Sequence, residues 1–256
     1  MKMLRRTRVT FSLLTIAALL SACSDSTAPN QTDLGPALAF GNGTAQAYVL
    51  SSPAGAPLEI GVVLSESALV GLSTASGTGV VLQLPTQVSA APFNHVTVDF
   101  NPAGHPPVGV FNVPHFDVHF YTITPAARAA ITPASADFAT KAARTPSAEF
   151  IPSGYIKDAN AIPGMGNHWT DRSAPEFNGQ PFTKTFIYGS WDGTFTFYEP
   201  MITKALLDGK PPVTTVPLKI ASQYAAPGSY PTSYKVGFDA SARQYVIAIS
   251  GLVPRP

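Results

Sequence analysis

The 256 residues are 45% hydrophobic and only 12% charged, with 25 prolines and one cysteine. That balance excludes a disordered, solvating chain, and a lone cysteine excludes both an intramolecular disulfide and a thiolate-rich metal site. With no basic stripe, nucleic acid is not an expected partner.

The chain opens with Lys2, Arg5, Arg6 and Arg8, followed by an apolar run from Phe11 to Leu20. The run falls short of the ~20 residues that span a bilayer, so residues 1–22 read as a signal peptide, not a membrane helix. It ends Leu20-Ser21-Ala22-Cys23, which resembles the lipobox of bacterial lipoproteins. That resemblance implies lipidation of Cys23 and cleavage before it. Acyl chains worth roughly 0.8 kcal/mol per buried methylene would then hold the protein to a membrane. Ser24, where such proteins can carry a sorting aspartate, points to the outer membrane of a bacterial envelope. Loss of residues 1–22 removes basic residues only, so the mature chain is net acidic.

Residues 24–36 (SDSTAPNQTDLGP) are polar and lack apolar periodicity, so Cys23 to Pro36 reads as a lipidated, flexible tether. Residues 37–256 then form one β-rich domain, an antiparallel sandwich or barrel with a few short helices. Windows rich in Val, Ile, Phe, Tyr and Thr, punctuated by Pro, Gly, Asn and Asp, predict strands near 44–50, 58–64, 79–84 and 93–100. A short helix is predicted from Ser65 to Leu72. The nearest thing to a serine-hydrolase elbow, Gly71-Leu72-Ser73-Thr74-Ala75, lacks its second glycine. No glycine-rich phosphate-binding motif occurs, so no nucleotide cofactor is expected. In Phe93–Phe100 (FNHVTVDF), His95 shares a face with Thr97 and Asp99 and reads as a structural histidine. His105 lies in a proline-rich loop and is an additional candidate ligand.

The next predicted strand, 115–123, carries the densest chemistry. In PHFDVHFY, His115, Asp117, His119 and Tyr121 share one face, and Phe116, Val118 and Phe120 the other. At about 3.3 Å per residue, His115 and His119 stand ~13 Å apart along a regular strand, so metal–nitrogen bonds of about 2.0–2.1 Å do not easily join both to one ion unless a bulge draws them together. Pairs two residues apart can converge. Asp117 is therefore expected to partner one histidine, with the other joining a neighbouring cluster.

Thr124-Pro125 offers a helix cap, and helices are expected within the Ala/Pro-rich segment 124–149. His168, in Pro163–Trp169, is predicted on a glycine-bounded loop that brings it to a site. Strands near 182–190 and 194–199 flank Asp192-Gly193, a two-residue hairpin turn. Uninterrupted pairing would place Tyr188 opposite Phe197 and Phe186 opposite Glu199. Glu199 would then lie on an aromatic face, costly unless partnered. It reads either as a metal ligand or base, or as an acid capping a helix from Met201 to Asp208 that begins at Pro200. Strands near 213–220, 232–238 and 243–250 complete the chain.

The pieces Asp99–Pro102, Gly104–Pro107, Val113–Tyr121, Gly166–Trp169 and Phe186–Thr203 together resemble a family of uncharacterised bacterial envelope proteins with a namesake from Thermus. The resemblance implies a secreted or lipid-anchored β-rich domain and no established activity. The candidate ligands His115, Asp117, His119, His168 and Glu199, with His105, all fall inside these pieces. Imidazole and carboxylate donors point to a divalent metal, zinc first. The leading expectation is a lipid-anchored envelope protein that binds this metal or another ligand. One alternative is a metal-dependent hydrolase or lyase of the envelope. The other is a structural homo-oligomer without metal.

Overall fold

The computed structural model describes residues 28–256, so the predicted signal peptide and Cys23 lie outside the described residues. Alternating side chains build two antiparallel sheets that pack face to face as a sandwich, not a closed barrel. In chain order the strands begin with β1 (Gln31–Phe40), β2 (Gly43–Ser51), β3 (Pro57–Ser65), β4 (Thr78–Gln83) and β5 (His95–Asn101). They continue with β6 (His115–Tyr121), β7 (Tyr155–Ile162), β8 (Gly166–Asp171), β9 (Lys184–Trp191) and β10 (Thr194–Thr203). The last are β11 (Thr214–Pro217), β12 (Gly228–Tyr230), β13 (Ser233–Asp239), β14 (Gln244–Ser250) and β15 (Val253–Arg255). One sheet runs β1-β2-β3-β14-β13-β11, the other β4-β5-β6-β10-β9-β8-β7, and β12 pairs with β15.

The core lies between the two large sheets. Val49, Ile60, Val62, Leu64, Ile247 and Ile249 meet Val96, Val98, Phe116, Val118, Phe120 and Ile202. Each such side chain contributes about 1.5–3 kcal/mol by leaving water. Phe116 sits within a ring cluster, its centroid 5.0 Å from Phe100 and 6.3 Å from Phe40. The second sheet therefore has one face committed to the core and an outer face free to carry chemistry.

Several sequence expectations need correction. The tether is shorter than expected: Gln31 to Leu34 already pair with β2, and β1 breaks register only between Leu34 and Ala37. The helix expected from Ser65 is a single 3-10 turn, Glu66–Leu69. Strands β7 and β8 were not foreseen, and His168 belongs to β8, not to a loop. The helix expected from Met201 is displaced. Strand β10 runs on to Thr203, whose Oγ1 accepts from the Leu206 N–H and caps α3 (Lys204–Asp208). Pro200 is thus a strand residue. Its missing N–H coincides with a gap in the β10–β6 pairing between Tyr198 and Met201.

The Asp192-Gly193 turn forms as expected, with φ of 53° and 80° and Trp191 opposite Thr194. Beyond it, a bulge between Phe195 and Phe197 shifts the register by one. Tyr188 therefore faces Tyr198, Gly189 faces Phe197, and Glu199 faces Ile187 rather than Phe186. Phe186, Tyr188 and Phe195 stay with the core, while Phe197 and Glu199 turn to the outer face.

Helices α1 (Pro125–Ala129) and α2 (Phe138–Ala143) lie within segment 124–149. Thr124 caps α1 by accepting the Ala127 N–H. The segment braces the far end of the sheet: Gly164 N–H donates to Ile131, Arg128 Nε to Gly164, and Asn167 Nδ2 to Ala142.

Candidate metal centre

The outer face of the second sheet forms the floor of a cavity of about 600 Å³ lined by Asp99, Asn101, His105, Asp117, His119, His168 and Glu199. Apolar groups, including Phe111, Met165 and Ile187, complete its wall. Alternation along β6 delivers His115, Asp117 and His119 to this face, and β5 pairs Thr97 with His119 and Asp99 with Asp117. Tyr198 pairs with Phe120 and Met201 with Asp117, a register that sets Glu199 opposite His119. From β8, His168 pairs with Gly189 of β9, and Gly189 pairs with Phe197 of β10. Lys157 pairs with Trp169 and Ala161 with Asn167, so Asp158 to Asn160 bulge out opposite His168 and form part of the rim.

The six candidate ligands converge as two separate triads, His119–His168–Glu199 and His105–His115–Asp117. In each, one donor atom from every residue lies within 4.8 Å of the others. Asp117 falls with His115, and His119 with the other group. His105, read as the additional candidate, reaches from its loop to Asp117.

The first triad has a defined proton arrangement. Thr97 Oγ1 donates to Asp99 Oδ2 at 2.9 Å and lies 3.2 Å from Nδ1 of His119. Its one proton being committed, the hydroxyl accepts from His119, so Nδ1 carries the hydrogen. Nε2 then faces Glu199 Oε1, 3.4 Å away, and Nε2 of His168 lies 3.9 Å from Oε2. His119 Nε2 and Glu199 Oε2 are buried without a hydrogen-bond partner among the described residues. Burial raises Glu199 to about 8, against the pull of His119. Burial opposes charge on His119, but Glu199 and Asp99 outweigh it and raise its pKa. Burial, reinforced by His119, pushes His168 down to about 3 and keeps it a neutral donor.

In the second triad, Nδ1 of His115 lies 2.7 Å from the Val113 carbonyl and Nδ1 of His105 lies 2.8 Å from that of Pro106. A carbonyl only accepts, so each Nδ1 carries a hydrogen. The Nε2 atoms face Asp117, at 3.1 Å from Oδ1 for His115 and 3.3 Å from Oδ2 for His105. Asn101 Nδ2 donates to Oδ2 at 2.7 Å and fixes the carboxylate. Burial disfavours a charged His105, but the Asp117 carboxylate and the Pro106 carbonyl overcome it and raise His105 to about 9. Burial would also raise Asp117, yet the two histidines hold it below the ordinary carboxylate range.

Residues 52–100 match the TTHB210-like family. The description of that family model is the hypothetical protein TTHB210, which names no activity. The TTHB210-like match covers β3 to most of β5, including Thr97 and Asp99 but none of the triad residues. It meets the pieces that carried the sequence resemblance only at Asp99 and Phe100. It agrees with an uncharacterised family that has a Thermus namesake. No curated protein and no solved structure matches the chain.

Sequence reasoning did not give Thr97, Asp99 and Asn101 their orienting roles. Their signal was present in the alternation of Thr97, Asp99 and Asn101 on one face of a strand that could pair with PHFDVHFY. His95 stays apart from both triads, stacked on Tyr121 with centroids 4.8 Å apart. Phe197 was expected on one aromatic face with Phe186, Tyr188 and Phe195. Instead its ring packs 5.0 Å from His119 and 5.3 Å from His168, walling the first triad. The ring has room because its neighbour is Gly189, where a Cβ would approach Phe197 Cε1 to 1.8 Å. Gly189→Ala is therefore expected to destabilise the fold by about 1–3 kcal/mol through overpacking. It should also weaken metal binding at least tenfold by displacing the ring, measured by urea denaturation and zinc titration. Unchanged values would show that the ring does not position the histidines.

Proposed function

We propose that this chain is a metal-binding protein whose centre is His119, His168 and Glu199, taking a divalent cation with zinc as first choice. The carrying observation is the pair of unpartnered, buried atoms, His119 Nε2 and Glu199 Oε2, in a triad whose tautomer is already set by Thr97. A tetrahedral ion with bonds of about 2.0–2.1 Å holds its ligand atoms roughly 3.3 Å apart. The 3.4 Å separation of His119 Nε2 and Glu199 Oε1 fits that span, and His168 needs only a small approach. Nitrogen and carboxylate donors suit zinc and the neighbouring first-row ions better than calcium or magnesium.

The Thr97–Asp99 pair supports this reading because it orients a ligand from behind, as metal-bound histidines require. A basic head, an apolar run and Cys23 support the further proposal that the protein is a lipoprotein of the bacterial envelope, exported and anchored in the outer membrane.

A second reading, a metal-dependent hydrolase or lyase, is favoured by one feature. Three protein ligands leave a coordination position open, and the cavity beside them holds about 600 Å³. The test of the principal reading is metal analysis of full-length protein purified without a histidine tag and dialysed against zinc. One zinc equivalent should depend on His168, vanishing in His168→Ala and in His119→Gln while near-ultraviolet circular dichroism keeps its folded form. Full zinc retention in both variants would refute the centre.

A further inference from the structure

We propose that His105, His115 and Asp117 form a second divalent-cation site in the same cavity, making this a two-cation protein. The inference extends the reading of the first triad but rests on different atoms. Both imidazoles commit Nδ1–H to backbone carbonyls, of Val113 and Pro106, and so turn Nε2 towards one carboxylate. His105 Nε2 hydrogen-bonds to Asp117 Oδ2 at 3.3 Å, whereas His115 Nε2 faces Oδ1 at 3.1 Å, a gap that positive charge would bridge. His115 Nε2 and Asp117 Oδ1 are buried and have no hydrogen-bond partner among the described residues, which marks where that charge belongs.

The separations match the roughly 3.3 Å between ligands of a tetrahedral zinc ion. The surroundings are built to hold them. Asn101 fixes Asp117 from outside, as supporting groups do around a metal-bound carboxylate. Gly104, at φ 68°, lets the loop carrying His105 fold tightly; a Cβ there would approach the Phe111 carbonyl to 2.1 Å. The two sites cannot merge, because His115 and His119 stand ~13 Å apart along β6. They are neighbours all the same, since Asp117 and His119 are one same-face step, ~7 Å, apart.

Equilibrium dialysis of the full-length, tag-free chain against zinc at pH 7.5 tests this by counting ions per chain. Wild type should hold two. His105→Ala, which changes a loop residue outside the core, and the near-isosteric Asp117→Asn should each hold one. His168→Ala should hold the other one, and His105→Ala with His168→Ala together should hold none. A wild-type count of one that persists in His105→Ala but disappears in His168→Ala would overturn the second site and leave the first standing. Two ions retained in both His105→Ala and Asp117→Asn would also overturn it. Loss of zinc in the His105 and Asp117 variants, with none lost in His168→Ala, would instead support this site and refute the first.

Discussion

Zinc added to metal-free protein is expected to raise its melting temperature by about 5–10 °C through the His119–His168–Glu199 centre alone. A ligand that binds only the folded state stabilises by about 2.7 kcal/mol at a hundred times its dissociation constant. In a domain of this size each kcal/mol moves the midpoint about 2–4 °C. His168→Ala should remove that part of the rise and change the metal-free midpoint far less, because His168 lies on β8 outside the hydrophobic core. The sign of the pH dependence follows from the ligands. Nε2 of His119 must be free of its proton to bind, and Glu199 must be ionised. Zinc affinity should therefore fall as pH drops from 8 to 6, by about tenfold per unit for each proton that the metal displaces. Calorimetric scans with zinc and with chelator, at both pH values, measure these effects. Coincident scans would eliminate the centre.

The second large effect concerns Glu199. A carboxyl buried beside Phe197 and opposite Ile187 is a burden on the metal-free fold. Glu199→Met is expected to stabilise metal-free protein by about 1–4 kcal/mol while abolishing the first zinc equivalent. The gain should grow with pH. Burial raises the folded-state pKa from 4.5 to about 8, so between those values the folded protein binds more protons than the unfolded chain and loses stability as pH rises. The variant lacks that loss. Urea denaturation at pH 5 and pH 8 reads the difference. A destabilised Glu199→Met protein at pH 8 would mean that Glu199 holds the fold together and is not reserved for a ligand.

What could be read from the chain and what could not divide along physical lines. The two faces of β6 were legible because a strict alternation of Phe, Val and Phe against His, Asp and His has only one economical burial. That His115 and His119 fall into different groups followed from the strand rise, but which residues join each did not. The Asp192-Gly193 turn was legible from its positive-φ residues, but the register beyond it was not. The bulge before Phe197 depends on tertiary packing, and Thr196 carries no local sign of it. Strands β7 and β8 escaped because Lys157-Asp158-Ala159-Asn160 and Gly166-Asn167 are poor strand formers. Their pairing is held by the brace from segment 124–149, a long-range cause. The tether boundary erred for a related reason: the mostly exposed β1 has no apolar rhythm to announce it. The helix before Asp208 was expected too early, because proline is far commoner at a helix start than inside a strand.

The bulge between Phe195 and Phe197 acts as a phase shifter. Upstream of it, odd-numbered residues of β10 point into the sandwich; downstream, odd-numbered residues point out of it. A single-residue deletion at Thr196 would invert the second half of the strand, driving Glu199 into the hydrocarbon interior and turning Tyr198 and Ile202 outward. The chemistry of the cavity thus hangs on one surplus residue, and short insertions or deletions there would change ligand sets more abruptly than any point substitution.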